Sequence, residues 1–130
     1  MVVEAKMFAT AAHAAIGQKR KYSGDDYIVH PQRVAAIVER HGGTDEMIAA
    51  AWLHDTVEDT DVTPILITKM FGVDVADIVE GLTDISLPDD GNRAKRKSID
   101  RMHSANASTE AQFVKCADII DNSWDIAEND

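Results

Sequence analysis

Residues 52–60 read WLHDTVEDT: two large apolar side chains, then His54-Asp55 and, three residues on, Glu58-Asp59. The run just before them, AAAWL, is suited to a buried helix. Positions three and four apart share one face of a helix. The pairs His54–Glu58, Asp55–Glu58 and Asp55–Asp59 therefore stack polar groups in two layers behind that apolar run. Ions carried into an apolar interior without partners cost several kcal/mol each. A bound divalent cation removes the difficulty, with His54 and Asp55 gripping the ion and Glu58 and Asp59 close to whatever it holds.

Working outward, helical signals recur and alternating strand patterns are absent. Residues 3–18 are Ala-rich and built of good helix formers. Pro31 suits a first helical turn, and QRVAAIVERH follows it until Gly42-Gly43. Thr44 is placed to cap DEMIAAAWLHD, whose two leading acids favour the helix dipole. Thr63-Pro64 opens ILITKMF, closed by Gly72. A further helix is expected over about 74–83. The stretch ISLPDDGN is loop by its Pro, Asp and Gly content. A short basic helix over 92–104 and a long last one, capped by Ser108 and running to about 127, complete an all-α globule of about seven helices with short connections.

The 130 residues fit one domain with one core. Neither a membrane span nor a secretory leader is expected, since MVVEAKMFATAAHAA carries acid and lacks a basic start with an unbroken apolar stretch. The single Cys116 excludes an intramolecular disulfide and fits a reducing compartment, so a cytoplasmic location is expected. A net charge of −10 argues against nucleic-acid or membrane-surface binding, which need a broad positive face. Yet seven of the 13 basic residues fall in two runs, KRK at 19–21 and RAKRK at 93–97. Such runs are commonly solvated faces; beside a metal ion they would suit a small polyanion.

An imidazole–carboxylate site needs further ligands. His30, in YIVHP, precedes a helix start, and Asp118, in VKCADIIDN, lies on the last helix with Asn122 one turn later. Taken singly, a His before Pro is more often a cap or surface residue, and Asp118 an ordinary surface carboxylate. The ordered series His30, His54-Asp55, Glu58-Asp59, Asp118 on an all-α chain resembles the HD phosphohydrolase superfamily. More narrowly it resembles the hydrolase domain of the RelA/SpoT enzymes and their small stand-alone relatives, which cleave guanosine tetra- and pentaphosphate. The words AAHAAIGQKRK, YIVHPQRVA, AAWLHDTVEDT, FGVDVADIVEGLTD, NRAKRKSIDRMH and VKCADIIDN carry the likeness from about residue 5 to 127.

The resemblance implies a compact HD-domain fold with one metal site between helices, spanning 1–130 as a single domain. It implies one Mn²⁺ held by His30, His54, Asp55 and Asp118, a mixed N and O set that leaves positions open for water and phosphate. Glu58 and Asp59 would orient the water, accept its proton and return one to the leaving group. The implied reaction removes the 3′-pyrophosphate of ppGpp or pppGpp, giving GDP or GTP and pyrophosphate. Arg20 and Lys21 match a family pair that holds the nucleotide. RKYSGDDYIVH is one residue longer than the usual spacing there, and Asp26 stands where Pro is usual, so which of the two faces the base stays open. Lys95, Arg96 and Lys97, with Arg93, are expected to meet the 5′ phosphates, and Asn122 the ribose.

Of the remaining candidates, His13 reads as helix packing, His41 and His103 as surface, Trp52 as core and Cys116 as a small buried hydrophobe. Tyr27 suits either the base or a structural contact. The competing functions are an HD phosphohydrolase acting on another nucleotide, such as the 2′-phosphate of NADPH, and a non-catalytic module that binds the alarmone. All six chemistry-bearing residues are retained, which disfavours the module. The resembling proteins continue through further helical sequence after DIAEND, so a shortened or minimal version with a more open pocket is expected. No nucleic-acid or membrane partner is expected, and the oligomeric state is left open.

Overall fold

The computed structural model describes residues 1–17 and 28–129, with backbone alone for 124–129. Among the described residues there are eight helices and no strand: α1 (Val2–Ile16), α2 (Val29–Arg40), α3 (Asp45–Leu53), α4 (Thr56–Asp59), α5 (Pro64–Phe71), α6 (Val73–Leu82), α7 (Arg93–Ala105) and α8 (Thr109–Asn129). None is long and apolar enough to cross a membrane.

α3 is the centre of the fold because of its composition. From Met47 on it is apolar on every side, so no face of that stretch can be left in water, and Met47 to Leu53 are all buried. α1, α2, α6 and α8 pack around it. Ala49, Ala50 and Ala51 have no exposed surface, and their small side chains let the neighbouring helices approach closely. Each neighbour presents a stripe at helical spacing: Ala5, Ala9 and His13 from α1; Val34, Ala35 and Val38 from α2; Val75, Ile78, Val79 and Leu82 from α6.

The expected starts and stops are present. Thr44 Oγ1 accepts from Met47 N at 3.2 Å, Thr63 Oγ1 from Leu66 N at 3.2 Å, and Ser108 Oγ from Ala111 N at 3.1 Å. Asn92 caps α7 by accepting from Lys95 N at 2.9 Å. Gly72, at φ +93°, ends α5 and turns the chain into α6, a backbone setting that side chains rarely adopt.

One expectation is corrected. The helix expected over DEMIAAAWLHD stops at Leu53, and residues 56–59, expected to continue its face, form a separate single turn, which accounts for the eighth helix. The cause is local. His54 Nδ1 donates to Ala51 O at 2.7 Å and Thr56 Oγ1 to Leu53 O at 2.8 Å. These two side chains satisfy carbonyls at the end of α3 and let the chain turn there.

α6 and α8 meet at Gly81, where a Cβ would lie 2.9 Å from Ala111 Cβ and 3.0 Å from Ala107 Cβ. Those methyls sit on or beside the start of α8 and cannot yield without moving the backbone. Gly81→Val should therefore destabilise the protein by about 1–3 kcal/mol, the range for an overpacked core, read as a lower midpoint of thermal unfolding by circular dichroism.

Candidate metal centre

Three segments far apart in sequence deliver four ligand-competent side chains to the C-terminal end of α3. His54 and Asp55 lie in the turn after α3, His30 in the first turn of α2, and Asp118 on the inward face of α8 with Val114, Ala117 and Asp121. Asp118 Oδ1 is 2.7 Å from His30 Nε2 and 3.2 Å from His54 Nε2. Asp55 Oδ2 is 3.0 Å from His54 Nε2 and 3.9 Å from His30 Nε2. One ligand atom from each of His30, His54 and Asp55 falls within 4.8 Å of the others.

These spacings fit a divalent cation. Neighbouring ligands of a small ion, each about 2.1 Å from it, stand about 3.0 Å apart at the right angle of an octahedron. Two imidazole nitrogens and two carboxylate oxygens form a donor set used by first-row divalent metals. Burial opposes charge on His54, yet Asp55 and Asp118 outweigh it and hold the imidazole well above its ordinary range. Burial likewise opposes ionisation of Asp118, but hydrogen bonds and charge from His30 and His54 keep its carboxyl well below the usual carboxylate range. Positive charge is thus favoured at the point where the four side chains meet.

Glu58 and Asp59 lie on α4, immediately beyond the ligand pair. The Glu58 carboxylate accepts from the backbone N–H of Asp84. Burial pushes its pKa up to about 7, with Asp84, Asp55 and Asp59 adding to the rise and the bond from Asp84 opposing it. Asp84 is raised as well, by burial first and then by Asp100, with Asp55 and Asp118 contributing. Glu58 and Asp84 therefore share the electrostatic field of the cluster.

A cavity of about 550 Å³ opens between the end of α6, α7 and α8. Its walls include Asp84, Lys97, Arg101, His103, Lys115 and Cys116. It is linked to the cluster by Lys115, whose Nζ is 3.4 Å from Asp118 Oδ2, and by Asp84. The loop that forms one rim is held by Asp100, whose carboxylate accepts from Ile85 N, Ser86 N and Ser86 Oγ at 2.7–2.9 Å.

The basic run on α7 divides. Lys97 lines the cavity; the stem of Lys95 packs against Gly91, and Arg96 Nη1 reaches Pro88 O at 3.5 Å. Asn122 is exposed and its amide donates to Asp118 Oδ1 at 3.3 Å. Arg20, Lys21, Asp26 and Tyr27 lie outside the described residues. Trp52 and His13 are buried and His41 is exposed, as expected. Two readings are corrected. Cys116 is exposed and faces the cavity, because the inward stripe of α8 runs through 114, 117, 118 and 121. His103 is half-buried, and its Nε2 donates to Glu80 O at 2.9 Å, joining α7 to α6.

Three polar residues of the centre were not anticipated. Asp121 and Lys115 stand three residues either side of Asp118 on the same helix, so helical spacing from Asp118 points to both. Asp84 belongs to a loop, where spacing carries no such signal.

The HD domain family model matches residues 5–122. The MESH1 guanosine-3′,5′-bis(diphosphate) 3′-pyrophosphohydrolase of Danio rerio is 42% identical over 130 residues, covering 97% of this chain and 69% of that protein. A probable guanosine-3′,5′-bis(diphosphate) 3′-pyrophosphohydrolase of a Synechocystis strain is 44% identical over 86 residues, which is 66% of this chain and 11% of that protein. A solved structure described as a metazoan ortholog of SpoT that hydrolyzes ppGpp superposes with a TM-score of 0.85 at 31% identity, covering 98% of this chain and 71% of that one. Sequence likeness over nearly the whole chain and a shared fold agree: the chain belongs to the HD-domain family, in the branch that contains MESH1.

Proposed function

We propose that this chain hydrolyses the 3′-pyrophosphate ester of guanosine tetra- or pentaphosphate, releasing GDP or GTP and pyrophosphate, with one Mn²⁺ as its metal. The observation that supports this most is the meeting of His30, His54, Asp55 and Asp118 beside a cavity with cationic walls. The MESH1 relatives are named for the same reaction.

His30, His54, Asp55 and Asp118 would hold the ion, which would acidify a bound water and offset charge on phosphorus. Glu58 takes the proton of the attacking water: its raised pKa leaves comparable amounts of base and acid at neutral pH. As the bond between phosphorus and the ribose 3′ oxygen breaks, the same proton passes to that oxygen. Asp59 orients the water from the adjacent position on α4. Lys97, Arg101 and Lys115 attract the phosphates into the cavity, and Lys95 and Arg96 add positive charge on the same helix; Arg20 and Lys21, outside the described residues, are assigned to the nucleotide on the family resemblance alone. Asn122, already bonded to Asp118, steadies that ligand and offers its amide to the ribose.

Product analysis by ion-exchange chromatography, on ppGpp, pppGpp and NADPH with Mn²⁺ and with chelator, tests the reading. Pyrophosphate from the first two substrates, lost with chelator, is expected; phosphate from NADPH alone would replace the guanosine substrate with another nucleotide. Glu58→Gln should lower kcat by about 10²–10⁴-fold, the range for a general acid–base, with KM little changed.

Metal affinity should depend on pH in a definite direction. The pKa of His54 is raised in the metal-free protein, so a proton occupies the site to higher pH than on a free imidazole. An incoming cation must displace that proton, so binding strengthens as pH rises. Calorimetric titrations with Mn²⁺ at several pH values should show Kd falling with pH and proton release to the buffer.

A further inference from the structure

His30 is held at both ring nitrogens by carboxylates of α8. Its Nε2 faces Asp118 Oδ1 at 2.7 Å, and its Nδ1 faces Asp121 Oδ2 at 2.7 Å. His30 and Asp121 are 1% and 3% exposed, and 91 positions separate them in the chain. Asp118 and Asp121 stand three apart, so they share one helical face and can flank a single imidazole. A carboxylate at 3% exposure needs partners; Arg33 Nη1 stands 3.9 Å from its other oxygen.

We propose that Asp121 is a positioning residue for the metal centre: by accepting the Nδ1–H of His30, it leaves Nε2 as the atom offered to the cation and locks the plane of the ring. The inference rests on the metal reading above. An imidazole carries one N–H in its neutral form, and the partner of one nitrogen decides which nitrogen keeps a free lone pair. Without an acceptor at Nδ1, the tautomer with hydrogen on Nε2 becomes accessible and cannot ligate through that atom. A carboxylate at Nδ1 also strengthens Nε2 as a donor to a metal. His54 has a weaker version of the arrangement, since its Nδ1 donates to the Ala51 carbonyl, a neutral acceptor. The two ligating imidazoles are therefore not equivalent: His30 is backed by a carboxylate and His54 by a peptide group.

The arrangement also docks α2 on α8, so a role in folding has to be separated from a role in ligation. Asp121→Leu and Asp121→Asn, compared with the parent protein, make the separation. Asn keeps an oxygen acceptor for Nδ1 without the charge; Leu removes the acceptor. Calorimetric titration with Mn²⁺ and the thermal midpoint of the metal-free protein are measured for all three. The expected result is Mn²⁺ affinity lowered about 10–100-fold in Asp121→Leu, the usual loss when a ligand's partner is removed, with Asp121→Asn between it and the parent. Equal Mn²⁺ affinity in all three folded proteins would overturn the inference while leaving the metal reading intact, and a lowered midpoint alone would mark Asp121 as purely structural. Absence of Mn²⁺ binding by the parent protein would overturn the metal reading, and this inference with it. If Asp121→Leu does not fold, Asp121→Asn decides: affinity equal to the parent's would overturn the assignment of a role to the carboxylate.

Discussion

Two imidazoles and two carboxylates occupy a space a few ångströms across at the end of the most buried helix of the molecule. Groups of this kind are tolerated in a dry interior only when each charge faces its opposite at hydrogen-bond distance. That requirement brings three helices together. α3 must end where His54 can turn its Nδ1 back onto Ala51, α2 must begin where His30 meets α8, and α8 must carry Asp118 and Asp121 on its inward face. The same groups that would be destabilising apart therefore tie the fold together at the place where the chemistry is expected.

Electrostatically the molecule is a contrast of scales. Its net charge of −10 repels polyanions at long range, yet Lys97, Arg101 and Lys115 line one cavity beside the carboxylate cluster. Within a Debye length of about 8 Å at physiological salt, local charge outweighs the distant average. Such a cavity suits a small, densely charged anion of the kind proposed as substrate. Asp84 and Glu58 occupy the border between the two fields, which is why burial and neighbouring acids raise both carboxyls.

Legibility from sequence differed by element. α3 was readable because a continuous apolar run flanked by Gly42-Gly43 and a Thr cap has few other solutions, and α5 because Thr63-Pro64 and Gly72 punctuate it. The break at His54-Asp55 was not readable, since it depends on which side chains donate to the last carbonyls of α3. Among the six residues singled out for metal and catalysis, the four ligand candidates do converge in space, and Glu58 and Asp59 follow directly after. Cys116 and His103 were misplaced because their environment is set by how α7 lies across α6 and α8, and no residue of α7 is fully buried to mark that contact.

The order of residues along the chain was enough to determine the helical class and the caps of α3, α5 and α8, because these follow from short-range backbone chemistry; the ligand candidates came from the family resemblance. Tertiary structure alone decided the pairing of His30 with Asp121, the place of Asp84 against Glu58, and the separation of Lys97 from Lys95 and Arg96. The first two are contacts between segments distant in the chain, and the third is a direction taken by neighbouring side chains on one exposed helix. Spacing along a helix can say which residues share a face, but which partner that face meets is set by three-dimensional packing.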